Sequence, residues 1–136
     1  MTARIGIVGD LNPTYPSHRE IQAARDLLGP DLAMEWVATD GAGVDDIVSG
    51  VTAYDGLWIA PGSPYADDDA VLDVIRHARE RALPLLGTCG GLQYAVLEFL
   101  RHAVGGPATH AETDGLADSN ASRSIRSSCS ACSSRR

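Results

Sequence analysis

Of the three cysteines, Cys89 stands where chemistry is most easily done, in the setting Gly87-Thr-Cys-Gly-Gly91 between the apolar run Leu83 to Leu86 and a second apolar stretch that opens at Leu92. Glycines on both sides of a nucleophile let a strand turn sharply into a helix and let backbone approach closely, the arrangement of a nucleophile elbow with sulfur in place of oxygen. The helix that follows aims the positive end of its dipole at the sulfur. The N–H of Gly90 is a candidate donor to the oxyanion of a tetrahedral intermediate. Nucleophilic attack on an acyl carbon is the chemistry this pattern offers. A structural thiol packed beside two glycines is the other reading of the same residues.

The remaining candidates are weaker. Cys129-Ser-Ala-Cys132 has redox-pair or half-zinc spacing, but no strand-to-helix setting surrounds it and no further ligands lie nearby, so the two thiols read as incidental and no metal is expected. Of the four histidines, His18 follows a proposed helix cap, His77 and His102 fall in expected helices, and only His110, in a loop after the nucleophile helix, could approach Cys89 as a base. A surface-loop histidine is the plainer reading of His110.

The elements that must position these groups follow from periodicity. Ile5 to Val8 reads as a buried strand ending at Gly9, and Ser17-His-Arg-Glu20 has the spacing of a capping box before a helix with Ile21, Ala24, Leu27 and Leu28 inward, stopped at Gly29-Pro30. Ala33 to Val37 is a second strand with Met34 and Trp36 on one face, and a short helix follows around Val44 to Val48. Gly56 to Ala60 is a third strand, ended by Pro61-Gly62. Asp67, Asp68 and Asp69 then suit a helix amino terminus, with Val71, Ile75, Ala78 and Ala82 repeating behind them. Leu83 to Leu86 is the fourth strand, and Leu92 to Val104 a helix with Leu92, Val96, Phe99, Leu100 and Ala103 on its buried side, stopped at Gly105-Gly106-Pro107. Strands alternating with helices indicate parallel winding, with ligand chemistry gathered at the carboxyl ends of the strands.

The run Pro84-Leu-Leu-Gly-Thr-Cys-Gly-Gly-Leu-Gln-Tyr-Ala-Val-Leu-Glu-Phe99 resembles the nucleophile segment of class I (triad-type) glutamine amidotransferases, most of all the glutaminase domain of their CTP-synthase branch. Ile5-Gly-Ile-Val-Gly9, Asp55-Gly-Leu-Trp-Ile-Ala-Pro-Gly62 and Ala108-Thr-His-Ala-Glu-Thr113 agree in order and spacing. The resemblance implies an α/β, flavodoxin-like parallel sheet with helices on both faces, incomplete at its C-terminal end. It implies catalysis by Cys89, an oxyanion held by the N–H groups of Gly62 and Gly90, and glutamine bound by Gln93 and Glu112. The expected reaction is hydrolysis of glutamine to glutamate and ammonia without a cofactor, in a cytoplasmic pyrimidine-nucleotide ligase. Ammonia would pass to a synthetase domain. The family's His base and its acidic partner lie further downstream than this sequence reaches, so turnover is expected to be impaired, and an uncovered sheet edge is expected to favour self-association. The alternative is a non-catalytic module that holds glutamine or a partner.

The 136 residues suit one domain, expected over 1–118, with a Ser/Arg-rich and disordered tail over 119–136. All eleven cations are Arg, and all eighteen acidic residues lie at or before Asp118, which gives the body a net charge of −11 and the tail +4. An acidic body argues against nucleic-acid binding. The longest apolar runs of four or five residues argue against a membrane span, so a soluble intracellular chain is expected. A phosphoacceptor receiver domain shares the winding but needs a Lys, and the chain has none.

Overall fold

Four short apolar runs form one parallel sheet: β1 (Ala3–Val8), β2 (Leu32–Val37), β3 (Gly56–Ile59) and β4 (Leu85–Gly87), in the spatial order β2-β1-β3-β4. The computed structural model describes residues 1–41, 44–108 and 110. Four helices join or follow the strands: α1 (Pro16–Leu27), α2 (Val44–Val51), α3 (Asp68–Glu80) and α4 (Gly90–Glu98), the last continued by a wider π-helical turn over Phe99–Ala103. The chain steps one way from β1 to β2 and the other way thereafter. Right-handed crossovers therefore set α1 on one face of the sheet and α2 and α3 on the opposite face.

Burial follows this division, because successive strand side chains point to opposite faces. Ile7 lies in register with Trp36 and Trp58, and with Met34, Ala60 and Ile21 of α1 these form one apolar layer. Val8 lies in register with Val37 and Ile59, and packs with Leu57, Ile47, Val51, Val71, Val74, Ile75, Tyr94 and Leu97 in the larger layer. The result is the expected flavodoxin-like α/β fold. The strand order reverses between β1 and β3, so their carboxyl ends open a crevice, and the loop after β4 adjoins it. No described helix is long and apolar enough to cross a membrane.

Several element ends differ from expectation for local reasons. Helix α1 begins at Pro16 with Tyr15 as its cap and no side-chain cap bond, so the capping box at Ser17 and Glu20 does not form. Proline's fixed φ and missing N–H suit the first helical position, which draws Ser17 into the first turn. The acidic start of α3 does form a cap: the Asp67 carboxylate accepts from the N–H of Ala70 at 2.9 Å. Ala82 is exposed at φ +54, past the end of α3, and does not extend its apolar repeat. Strand β4 starts two residues later than its apolar run.

The largest correction concerns α4. Leu92 and Phe99 are each 52% exposed, Val96 and Ala103 also face outward, and Leu100 is half-buried; the buried side carries Gln93, Tyr94, Leu97 and Glu98. A buried carboxylate must be paired. Glu98 accepts a two-pronged interaction from Arg79 of α3, Nε at 3.0 Å and Nη2 at 2.8 Å, with His102 Nδ1 3.3 Å away. That clamp and the contact of Gly91 with β3 fix the rotation of α4, which leaves Leu92, Val96 and Phe99 facing outward. Among the described residues β4 pairs with β3 alone. The expected domain boundary at 118, the 119–136 tail, Cys129 and Cys132 all fall outside the described residues.

The elbow glycines make the first prediction. A Cβ on Gly91 would overlap the carbonyl of Ile59, whereas one on Gly50 of α2 would meet nothing within 4 Å. Gly91→Ala should lower the unfolding free energy by about 3 kcal/mol through overpacking, while Gly50→Ala should raise it by about 0.5 kcal/mol through helix propensity. Denaturant titrations of the two variants check this, and equal midpoints would contradict it.

Candidate active site

The turn from β4 into α4 is built on backbone contact. A Cβ on Gly87 would lie 2.7 Å from the carbonyl oxygen of Gly91, and Gly91 itself rests on the Ile59 carbonyl, so neither position admits a side chain. Thr88 is tied down by the indole N–H of Trp58, which donates to its hydroxyl at 2.9 Å. The carbonyl of Cys89 accepts from the N–H groups of Leu92 and Gln93 at 3.1 and 3.2 Å and so opens the helix. These restraints leave Cys89 at φ +52 and ψ −116, a conformation that costs a non-glycine residue on the order of 1–3 kcal/mol. The thiol is exposed at the amino terminus of α4, as the sequence pattern requires of an elbow.

The facing wall is the loop after β3. Gly62 adopts φ +99, which only glycine holds without strain, and turns the chain against α4. A Cβ on Gly90 would sit 3.1 Å from the Ser63 Cβ and 3.3 Å from the Gly62 carbonyl carbon. Cys89, Gly90 and Gly62 are therefore neighbours in space although Gly62 and Cys89 are 27 positions apart in sequence. Glu112 lies outside the described residues.

Gln93 is buried, and its Oε1 lies 2.9 Å from Nε2 of His110. His110 is itself buried, not on the surface, and its ring leans on Tyr94 at 4.8 Å. Tyr94 meets Tyr65 edge-on at 5.0 Å, and the Tyr65 hydroxyl donates to the Ala60 carbonyl at 2.6 Å. Burial, then the neighbouring Cys89, Asp68 and Asp10, push the Tyr65 phenol well above its ordinary value. An aromatic stack thus joins α4 to the end of β3. Of the other histidines, His77 lies near the carboxyl end of α3, and His102 follows Cys89 by thirteen residues of helix, about 20 Å along the axis.

Two residues with no signal in the motif pattern brace the crevice. Asp10, directly after β1, accepts from the Thr39 N–H and hydroxyl at 2.7 Å each, from the Ala66 N–H at 2.7 Å and from the Asp40 N–H at 3.3 Å. It thereby links the loops after β1, β2 and β3. His18 of α1 joins the loops after β1 and β3 from the opposite face. A polar residue just past a strand end was the only clue to Asp10, and a lone histidine in the first turn of a helix gave none. No cluster of potential metal ligands occurs among the described residues.

The sequence profile of the family described as glutamine amidotransferase class-I matches residues 22–129. A CTP synthase of Geobacillus kaustophilus is 30% identical over 113 residues, 80% of this chain and 21% of the relative. A CTP synthase of Encephalitozoon cuniculi is 32% identical over 106 residues, 75% of this chain and 19% of the relative. The chain thus spans about a fifth of the length of these curated relatives. Among solved structures, the glutaminase domain of Trypanosoma brucei CTPS with bound acivicin superposes with a TM-score of 0.66 at 23% identity, covering 83% of this chain and 46% of that one. This last likeness is one of fold.

Asp10 supplies a pH test of the bracing. Burial raises its pKa, but the four hydrogen bonds from Ala66, Thr39 and Asp40 outweigh burial and hold the carboxyl below its ordinary value. A lowered folded-state pKa contributes stability that is complete above the unfolded value of about 4 and is lost as the pH falls through the folded one. The wild type should therefore exceed Asp10→Asn in stability by a constant margin at neutral pH, and the margin should shrink below about pH 4. Denaturation midpoints across that range measure it; a margin independent of pH would refute the assignment.

Proposed function

The chain belongs to the class I glutamine amidotransferase family, and from that premise we propose that it carries the nucleophile half of a CTP-synthase-type glutaminase centre. Cys89 attacks the side-chain amide carbon of glutamine, the N–H groups of Gly62 and Gly90 hold the developing oxyanion, and the C–N bond breaks as ammonia leaves with a proton. Water then cleaves the thioester to glutamate and restores the thiol. Gln93 and Glu112 bind the glutamine, and a synthetase domain accepts the ammonia for pyrimidine nucleotide synthesis. The observation that carries this reading is Cys89 at a left-handed φ on the amino terminus of α4, with the backbone of Gly62 against Gly90 beside it.

The ring of His110 supports the substrate role of Gln93. If Nε2 donates to Oε1 of Gln93, the amide –NH₂ of Gln93 is left to face a substrate oxygen. Departure of ammonia also needs a proton. His18 has both ring nitrogens engaged, His77 and His102 stand far along their helices from Cys89, and Nε2 of His110 is taken up by Gln93. Glutamine turnover by these 136 residues is therefore expected to be slow, while capture of an electrophile that needs no proton should proceed.

The chloroketone analogue of glutamine is such a probe, since sulfur displaces chloride directly. Mass spectrometry should find one adduct on Cys89 whose formation excess glutamine suppresses, and none in Cys89→Ala. Gln93→Ala should slow capture about 10-fold, the worth of one hydrogen bond to a charged group. Capture without ammonia release would favour the holding module over the enzyme. Labelling that glutamine does not suppress would refute a glutamine site. Rapid ammonia release dependent on Cys89 would make His110 the base to test first.

A further inference from the structure

His18 is the one buried histidine that the glutaminase reading leaves without a task. Its Nδ1 lies 3.0 Å from the backbone nitrogen of Asn12, and an N–H can only donate, so Nδ1 is the bare acceptor. The proton of the neutral ring therefore sits on Nε2, which donates to the Pro61 carbonyl at 2.6 Å. The ring is wedged between Tyr15, edge-on at 5.2 Å, and Trp36 at 4.9 Å, so it has little room to turn.

The bonded carbonyl belongs to a particular peptide group. Pro61 C=O and Gly62 N–H share one peptide, which is trans, so the two point in opposite directions. Holding the carbonyl toward α1 turns the N–H away from α1, and Gly90 packs against the same turn at Gly62 and Ser63. A glycine at φ +99 could otherwise let this peptide rotate, because no side chain restricts it. The Gly62 Cβ position lies 3.4 Å from Nε2 and 3.2 Å from the Tyr15 ring, so the same wedge also bounds the glycine sterically.

We propose that His18 is a positioning residue for acyl transfer: its Nε2–H fixes the Pro61-Gly62 peptide so that the Gly62 N–H is aimed at the oxyanion formed on Cys89. The inference rests on the acyl-transfer reading of Cys89 and deepens it. It separates two kinds of reaction at one sulfur. Addition to a carbonyl develops an oxyanion and depends on His18, whereas displacement of iodide from iodoacetamide develops none and does not.

The probe is 5-oxopentanoate, an aldehyde with the carboxylate and chain length of glutamine. Its carbonyl carbon bonds to the Cys89 sulfur and its oxygen takes up the thiol proton, giving a hemithioacetal whose oxygen occupies the oxyanion position. Protection of Cys89 from iodoacetamide, followed by mass spectrometry, yields the aldehyde Kd. The wild type should be protected. His18→Leu should raise that Kd at least 10-fold while changing the unprotected iodoacetamide rate less than 2-fold, and His18→Gln, which keeps an N–H donor, should recover part of the loss. Protection equal in His18→Leu and wild type overturns the inference alone. A wild type that the aldehyde does not protect overturns it too, and glutamine-suppressible chloroketone capture then tells whether the glutamine site survives. Should His18→Leu fail to fold, long-range 1H–15N spectra of the wild type decide: a bare Nδ1 and protonated Nε2 are required, and the reverse tautomer refutes the proposal.

Discussion

The contact between the first turn of α4 and the end of β3 governs the rest of this structure. Gly91 lies directly on the Ile59 carbonyl, closer than any side chain would permit. Because the helix must start there, the chain leaving β4 has only Thr88 and Cys89 in which to reverse direction, and Cys89 takes the strain at φ +52. The strain is confined to the position whose chemistry needs exposure. It is held by contacts that surround it: glycine at 87 and 91, the Trp58 to Thr88 bond, and the Cys89 carbonyl engaged as the first helix acceptor.

The same contact dictates the orientation of α4, and the consequences reach its far end. With the helix pressed onto β3 at Gly91, Tyr94 and Leu97 enter the larger core and Glu98 meets Arg79. A carboxylate buried with a bidentate partner is tolerable, so charge sits inside while Leu92, Val96 and Phe99 sit outside.

Around this hinge the crevice is fixed by polar residues that do not touch the reacting atoms. Asp10 gathers three loops from one side with four hydrogen bonds, and His18 binds two of them from the other. Loops at the carboxyl ends of parallel strands carry function but have few apolar contacts to hold them. A carboxylate that accepts several N–H groups and a histidine of fixed tautomer supply rigidity in their place. Hydrogen bonds to a charged acceptor are stronger than neutral ones, which suits Asp10 to the larger share.

Local pattern alone determined the parallel winding, the strand ends at Gly9, Pro61 and Gly87, the acidic cap of α3 and the elbow at Cys89. Each depends on a period or a turn residue within a few positions of itself. The pairing of Gly62 with Gly90 was legible only through likeness to a family, because no spacing connects residues that distant. Tertiary structure alone decided the rest. A hydrophobic period on α4 pointed Leu92, Val96 and Phe99 inward, and the Gly91 contact with the Arg79–Glu98 pair turned them out. A capping box at Ser17 lost to the proline before it. His110 went from expected surface loop to buried partner of Gln93, and His18 from a helix residue of no account to the holder of the Pro61 carbonyl. In each case the deciding partner lies many residues away in sequence, and which partner a polar side chain meets depends on how the elements dock, a property that periodicity does not encode.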